Sequence, residues 1–532
     1  MMGDIYKNAN QTVIWLGEES ETSDLAISLI RGLDGGNLTH PNNSPNPDGL
    51  KAIAELQRRA WWSRVWVIQE ALLSANPIIQ CGTQTLPMEA FMILDDIRRG
   101  WHRASQTYDR TAHNAITNFS VALRNPFSGI VTYWPDARVR LLNPTLDSSP
   151  STLAEWAQYL SDFAATDPRD KIYGLLGLAS DADRNVMRYA LENHFVTSQV
   201  YTRAMMWFLI TARQLLQLSF DTDSRAGCPV GETGNTLPSW VVDFSENIPE
   251  GEDPDTWFRV GYVPFTAQHH PYKATGDGQL LKARVEGEMF PFVEKVLALR
   301  VKGCVVDKVA FVCGNGHMRL DMKNTNTQAR KAYSLERIKR TAEKVVEWEE
   351  EVLSDKWGRR DPYGREGGLD GRERAKVFRR TIVGNRDHEG GELEWDEEWE
   401  TMLAVFLGKK DMPLGDDGKP ATDEERLQYL LRIRLALIPR TAGRAFIITE
   451  NGYIGLAPLK SKAGDEVCVL EGGTVSFVLR SMDNSVLDPF GVTLTGRQKL
   501  FGLVGEAYVH GVSDGEWIDM QTKEDVIEVV MI

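Results

Sequence analysis

Residues 1–100 alternate short apolar runs with amphipathic segments, a pattern that indicates an α/β region. The run TVIWL at residues 12–16 ends at Gly17, as expected of a short buried strand, and residues 77–80 form a second strand candidate. The helices predicted in this region are 23–30, 50–60, 64–73 with Ser63 as its N-cap, and 88–99.

Residues 101–225 are predicted to be mainly helical. The clearest helices are 153–163 and 197–217. Between them, the sequence DPRD at residues 167–170 has the features of a helix start, since Asp167 can cap and Asp170 lies favourably in the positive first turn. We interpret this motif as structural, and an acidic site is the alternative.

The next two regions differ sharply in composition. Residues 226–324 are predicted to be β-rich, and residues 325–430 hold a charged helix, a Gly- and Arg-rich stretch and an acidic run. We interpret the charged region as an insertion that is partly disordered. The particular elements are strands at 239–244 and 302–312, a helix at 333–355, and the acidic run at 392–400.

The C-terminal residues 431–532 are again β-rich, with two hairpin signals. Asn451-Gly452 lies between apolar runs and favours a tight turn with positive φ at both central residues. Gly472-Gly473 lies between two further strands, and residues 503–509 add another. This spacing predicts a small antiparallel sheet or barrel.

Composition and charge narrow the function classes. The chain has 532 residues and a net charge of −15, a field that repels phosphate backbones, so we expect no nucleic-acid partner. The longest apolar run, residues 205–210, is too short to cross a bilayer, so we expect no membrane span. Five scattered cysteines without a C-x-x-C pair indicate reduced thiols and a cytoplasmic location. The nine histidines lack metal-binding spacing, so we expect no metal and no bound cofactor.

Several motifs are spread over most of the chain. They are WWSRVWVIQE at 61–70, preceded by the stretch 2–17, then TDPRDKIYGLLGL at 166–178, LPSWVVD at 237–243, GYIGL at 452–456, GDEVCVLEGG at 464–473 and LVGEAYVHG at 503–511. Their joint order resembles the fungal heterokaryon incompatibility proteins, which carry the HET domain. The segment 61–70 is similar to the third signature block of that domain.

The family's first two blocks, an S-Y-x-W-G-like strand and a W-I-D-x-x-C-I-N-Q-like segment, would precede Met1. We therefore expect the chain to start inside the HET domain, through either a misplaced start codon or a degenerate copy.

The resemblance and the patterns together predict an α/β plus α+β fold. Its parts are a partial TIR/flavodoxin-like domain over 1–100, a helical region over 101–225, a β-rich region over 226–324, the charged insertion over 325–430 and a C-terminal antiparallel β sheet or small barrel over 431–532.

The resemblance also implies a role in fungal non-self recognition that ends in programmed cell death. Some TIR domains hydrolyse NAD⁺ with a glutamate four residues after a tryptophan, and Trp66 and Glu70 share that spacing. The resemblance thus makes Glu70 a candidate catalytic residue, Trp62 and Trp66 candidate substrate-binding residues, and NAD⁺ a substrate.

The chemistry fits a helix, because residues four apart share one face. A carboxylate there can stabilise the positive charge that develops on the ribose as nicotinamide leaves. The structural alternative is that the three tryptophans of 61–66 are core anchors and that Glu70 pairs with an arginine.

Two further functions stay open. One is a non-enzymatic scaffold, in which the HET region self-associates and the C-terminal β region binds a protein partner. The other is an inactive, truncated copy, whose unpaired sheet edge would favour aggregation.

Overall fold

The computed structural model describes most of the chain. The described residues are 2–33, 47–91, 93–94, 97, 152–160, 163–192, 194–212, 214–219, 229–230, 235–245, 272–276, 280–281, 298–313, 327–357, 361–363, 370–387, 391, 393–412, 426, 429–441, 443–482 and 498–532. Predictions on other residues, such as part of the helix at 88–99, lie outside this set.

The chain divides into two compact units. The N-terminal unit comprises Met1–Ala204 and Phe244–Trp257, and the C-terminal unit comprises Met205–Asp243 and Phe258–Ile532. The first part of the chain contains α1 (Met2–Asn8), β1 (Thr12–Trp15), α2 (Glu21–Leu33), α3 (Pro47–Gln57), α4 (Val67–Leu73), β2 (Pro77–Cys81), β3 (Gln84–Pro87), α5 (Leu153–Tyr159), α6 (Asp170–Tyr173), α7 (Asp181–Glu192) and α8 (Thr197–Ala212), which contains the boundary in sequence.

The N-terminal unit holds a three-stranded sheet in the order β1-β2-β3. β1 and β2 are parallel, with Val13 opposite Ile78, and α2, α3 and α4 lie in the connection between them. Parallel strands require such a crossover, so the α/β prediction for this region is confirmed. β3 pairs antiparallel with β2 after a turn at Gly82, where φ is 54°. An antiparallel strand departs from an all-parallel flavodoxin-like sheet, and that likeness stays a prediction.

The helix predicted over residues 64–73 begins only at Val67. Its N-cap is Trp66, whose side chain makes no capping hydrogen bond. The prediction of Ser63 as the cap is wrong, because Ser63 Oγ donates to the Ala60 carbonyl within a 3-10 helix, Ala60–Ser63. This tighter turn buries two tryptophans before the chain enters the α-helix.

The middle helices are shorter than the sequence predicts. α5 begins with a capping box, in which Thr152 Oγ1 accepts from the Glu155 N–H and Glu155 Oε2 accepts from the Thr152 N–H. α6 begins at Asp170, and its N-cap Arg169 makes no side-chain cap. Asp167 Oδ1 accepts from the Arg169 N–H at 3.0 Å, so Asp167 caps the turn before the helix.

The later part of the chain contains mainly strands with a set of helices inserted between two of them. The elements are β4 (Pro229–Val230), β5 (Asn235–Thr236), β6 (Leu299–Cys313), α9 (Thr327–Val352), α10 (Gly371–Ile382), α11 (Glu397–Phe406), α12 (Leu431–Thr441), β7 (Arg444–Thr449), β8 (Ile454–Pro458), β9 (Glu466–Leu470), β10 (Ser476–Ser481), β11 (Gln498–Val509) and β12 (Ile527–Met531).

The large sheet of the C-terminal unit closes on itself. β6, β9, β10, β11, β8 and β7 pair in a circuit, each with the next, and β7 returns to β6. β12 pairs with the first residues of both long strands, antiparallel to β6 and parallel to β11. The predicted C-terminal β sheet is therefore confirmed, but it also includes β6 from the preceding region, and its β11–β12 pair is parallel and not antiparallel. Its apolar core includes Val309, Ile447, Val467, Val469, Val478, Val504, Ala507 and Val509.

Both predicted hairpins are present. β7 and β8 flank Asn451-Gly452, and β9 and β10 flank Gly472-Gly473. The expectation of positive φ at both residues of the first turn is wrong, because only Gly452, at 99°, adopts it. The Gly452 N–H donates to the Thr449 carbonyl at 3.0 Å, so an ordinary turn precedes the left-handed glycine.

The strand predicted at residues 239–244 is wrong. The Val241 N–H donates to the Pro238 carbonyl at 2.9 Å and closes a turn, and Trp240 is fully buried. The apolar run thus reflects burial of side chains rather than strand pairing. The strand predicted at residues 302–312 lies within β6 and is confirmed.

Helices α9 to α12 pack on one another and on β7 and β8. The Trp348 ring of α9 stacks on Phe446 of β7 at 5.5 Å between centroids, and Phe378 of α10 meets the same ring edge-on. The described part of the acidic run starts α11, where Asp396 accepts from the Trp399 N–H. Acidic residues are favourable in a first turn. The domain boundaries of this region stay a prediction.

Among the described residues, no helix is both long enough and apolar enough to span a membrane.

Candidate functional site

The tryptophans before α4 occupy two different environments. Trp62 is 1% exposed, its ring packs on Phe91 and Trp61, and its Nε1 donates to the Leu56 carbonyl at 2.9 Å. These contacts place Trp62 in the core of the N-terminal unit, as the structural interpretation expects. Trp66, by contrast, is only half-buried.

Glu70 is half-buried on α4 and is held by two neutral donors. Trp61 Nε1 donates to Glu70 Oε2 at 2.8 Å, and the Tyr6 hydroxyl is hydrogen-bonded to the same side chain. Burial and the neighbouring Glu70 charge raise the pKa of Tyr6 to about 12. The Tyr6 hydroxyl therefore stays protonated near neutral pH and donates a hydrogen bond to the Glu70 side chain.

Trp66 and Glu70 lie one helical turn apart, and the Glu70 N–H donates to the Trp66 carbonyl at 3.4 Å. Their side chains have separate partners, because Trp66 Nε1 donates to Asp170 Oδ2 at 2.9 Å. Burial raises the pKa of Asp170 above its ordinary value. The predicted pair is thus one element of a larger arrangement that includes Trp61, Tyr6 and Asp170.

The sequence gives uneven signals for these residues. The spacing of Trp66 and Glu70 selects both, and the DPRD motif draws attention to Asp170 as a helix-start residue. Its contact with Trp66 spans 104 positions of sequence, and no local pattern encodes it. Tyr6 has no signal at all in a single sequence.

The arrangement fixes the half-buried Glu70 carboxylate between two hydrogen-bond donors, Trp61 and Tyr6. A carboxylate fixed by hydrogen-bond donors can stabilise a positive centre on a bound ligand without reorganising first. No group of three His, Cys, Asp or Glu side chains suited to a metal ion occurs in the part of the chain that the structure describes.

A second polar cluster lies in the C-terminal unit. Arg444 Nη2 and Glu506 Oε1 are 3.0 Å apart, and both side chains are 0% exposed. Arg386 pairs with Asp514 at 2.5 Å, and its guanidinium lies 4.5 Å from the centre of the Tyr272 ring. Burial raises the pKa of Tyr272 to about 12.

Two families match separate parts of the chain. The family described as "Heterokaryon incompatibility protein (HET)" matches residues 1–70, which contain β1 and the start of α4 as far as Glu70. The family described as "Het-6 beta-barrel domain" matches residues 375–529, which run from α10 into β12.

A curated relative spans almost the whole chain. It is "Heterokaryon incompatibility protein 6, OR allele" from Neurospora crassa, which is 24% identical over 579 aligned residues that cover 99% of this chain and 79% of the relative. No solved structure matches the chain. The two ordered family matches and this end-to-end similarity agree with the motifs of the sequence, and together they support its recognition as a fungal heterokaryon incompatibility (HET domain) protein.

Proposed function

We propose that this protein acts in fungal non-self recognition and promotes programmed death of fused, incompatible cells from the cytoplasm. The observation that carries the proposal is the order of the matches, with a HET region at residues 1–70 and a Het-6 barrel at residues 375–529. The similarity to an incompatibility protein over 99% of the chain supports the same role. Recognition requires a protein partner or self-association.

Within this role, we propose that the HET region hydrolyses NAD⁺ to ADP-ribose, nicotinamide and a proton, with water as the attacking group. Glu70 is the residue that would act on the ribose, because its carboxylate is half-buried and oriented by Trp61 and Tyr6. As the bond to nicotinamide breaks, the ribose gains positive charge, which a fixed carboxylate stabilises. Trp62 supports the helix from the core, and Trp66 is the tryptophan available beside a ligand.

Inducible expression of the full chain in N. crassa tests both levels. The readouts are hyphal growth, viability after fusion and total NAD⁺, compared among wild type, Glu70→Gln and the control Glu55→Gln. Glu55 is a suitable control because it lies on α3 and pairs with Lys51 in an exposed i,i+4 contact. We expect wild type and Glu55→Gln to arrest growth and deplete NAD⁺, and Glu70→Gln to hydrolyse about 100-fold more slowly.

Two results would contradict the proposal at different levels. Normal growth and fusion at an immunoblot-verified protein level would reject the recognition role. Arrest with unchanged NAD⁺, equal in wild type and Glu70→Gln, would reject hydrolysis and favour the scaffold alternative.

A further inference from the structure

The DPRD motif belongs to a segment that packs on α4 although it lies outside both matched ranges. Its start is fixed to the chain just before α4 by two backbone hydrogen bonds. The Val65 N–H donates to the Ala164 carbonyl at 2.9 Å, and the Ala164 N–H donates to the Ser63 carbonyl at 2.6 Å. The segment, defined here as residues 163–178, is thus paired at its start with the residues that precede α4.

The end of the segment is packed against α4 and α1 with almost no free space. Gln69 of α4 is 1% exposed, and its Nε2 donates to the Gly174 carbonyl at 2.7 Å. A Cβ at Gly177 would lie 2.3 Å from Gln69 Oε1, and a Cβ at Gly3 would lie 2.9 Å from Gly177 Cα. Glycines at these positions therefore let the backbones of α1 and the segment meet directly and leave room for the Gln69 side chain of α4.

Asp170 lies between these two contact regions of the segment and binds the side chain of Trp66, the N-cap residue of α4. Trp66 Nε1 donates to Asp170 Oδ2 at 2.9 Å. α4 has only seven residues, and its N-cap makes no side-chain cap of its own. So short a helix is marginal by itself and depends on contacts from elsewhere in the fold.

The other acidic residue of the motif has a different role. Asp167 pairs with Arg169 two positions later, at 2.6 Å, and these side chains are 41% and 37% exposed. This pair is local to the segment, so only one of the two carboxylates of the motif, that of Asp170, contacts the N-cap residue of α4. Substitution of Asp167 therefore serves as a matched control for substitution of Asp170.

We propose that Asp170 is a positioning residue of the HET region, which holds Trp66 and thereby fixes the first turn of α4 and the direction of Glu70. The functional unit then comprises residues 2–33 and 47–73 together with the segment 163–178. The contacts described above support the role of Asp170 in positioning Trp66 and α4. The effect of this positioning on catalysis rests on the proposed NAD⁺ hydrolysis.

Hydrogen exchange of the full chain tests the positional part without any activity. We expect Asp170→Leu and Trp66→Phe each to increase exchange about 10-fold in peptides covering residues 67–73, since each removes one hydrogen bond to a charged group. The double variant should exchange no faster than either single variant, and Asp167→Leu should match wild type in these peptides. Equal protection of α4 in Asp170→Leu and wild type would overturn the proposal, as would additive effects in the double variant.

NAD⁺ hydrolysis by the same proteins tests the functional part. The Asp170→Asn side chain keeps an oxygen that can accept from the Trp66 indole N–H, so the kcat of this variant should stay within about 3-fold of wild type. Asp170→Leu removes the acceptor and should lower kcat about 10-fold or more. A folded Asp170→Leu protein with faster exchange but undiminished kcat would overturn the functional part. Should wild type itself leave NAD⁺ intact, the proposed hydrolysis fails, and the exchange result still decides the position of Asp170.

Discussion

The two units treat buried carboxylates in opposite ways. In the C-terminal unit, Glu506 is completely removed from water and faces the guanidinium of Arg444. In the N-terminal unit, Glu70 and Asp170 are half-buried, and their bonds come from neutral indole N–H groups of Trp61 and Trp66. All three carboxylates accept hydrogen bonds, but only that of Glu506 faces an opposite charge.

The difference separates a structural use of charge from a chemical one. A fully buried carboxylate needs an opposite charge, because desolvation alone costs several kcal/mol. A half-buried carboxylate held by neutral donors keeps its charge available for a ligand, at a smaller cost in stability. We therefore expect substitutions at Glu506 to affect folding, and those at Glu70 to affect function with a smaller effect on folding.

The largest effect is expected from breaking the buried pair. Glu506→Leu leaves the Arg444 charge buried without its carboxylate and should lower the free energy of unfolding by about 3–5 kcal/mol. The measurement is urea denaturation of the full chain, followed by a signal from the C-terminal unit. The double variant Arg444→Leu/Glu506→Leu should recover most of the loss, and a double variant as unstable as the single one would contradict the interpretation.

A smaller effect is expected where backbones meet in the N-terminal unit. Gly177→Ala places a methyl group 2.3 Å from Gln69 Oε1 and should cost about 1–3 kcal/mol through overpacking. Gly371→Ala is the control, because Gly371 opens α10 with nothing within 4 Å of an added Cβ. That control should be stabilised by about 0.4–1 kcal/mol, since alanine restricts the unfolded chain. Equal stability of both variants in urea would remove the evidence for tight packing on α4.

The smallest expected effect is a pH dependence of stability that differs between Asp167 and Asp170 of the DPRD motif. The pKa of Asp170 is raised above 3.8 by burial, so the N-terminal unit loses stability as pH rises from 3.8 through the raised folded pKa. The pKa of Asp167 is lowered by Arg169, so its contribution is present above 3.8 and is lost as pH falls through the lowered folded pKa. Asp170→Asn should remove the first slope and leave the second. Unfolding midpoints between about pH 3 and 7 check this, and parallel profiles for variant and wild type would contradict it.

Local patterns predict local features of this fold well. The strands near residues 12–16 and 77–80 and both glycine hairpins follow from apolar runs and turn residues, which act over a few positions. The pattern fails at residues 239–244, where burial comes from distant contacts, and it does not predict β3. β12 has the apolar and β-branched run IEVVM, but only long-range pairing places it between β6 and β11.

The candidate site shows the same limit. Helical spacing selects Trp66 and Glu70, but the partners that hold them come from Trp61, Tyr6 and Asp170. Trp62 has the same local signal as its neighbours and lies in the core. Which tryptophan lies in the core and which stays half-buried depends on a 3-10 turn that the sequence pattern does not specify.

The closed circuit of strands has a consequence for synthesis on the ribosome. β6 ends at Cys313, and its first partner in chain order, β7, begins at Arg444. At roughly 5–20 residues per second, β6 waits on the order of ten seconds for that partner. Throughout this interval an apolar strand with unsatisfied edges is exposed to other nascent chains. We therefore expect the growing polypeptide to depend on chaperones most strongly while helices α9 to α12 are being translated.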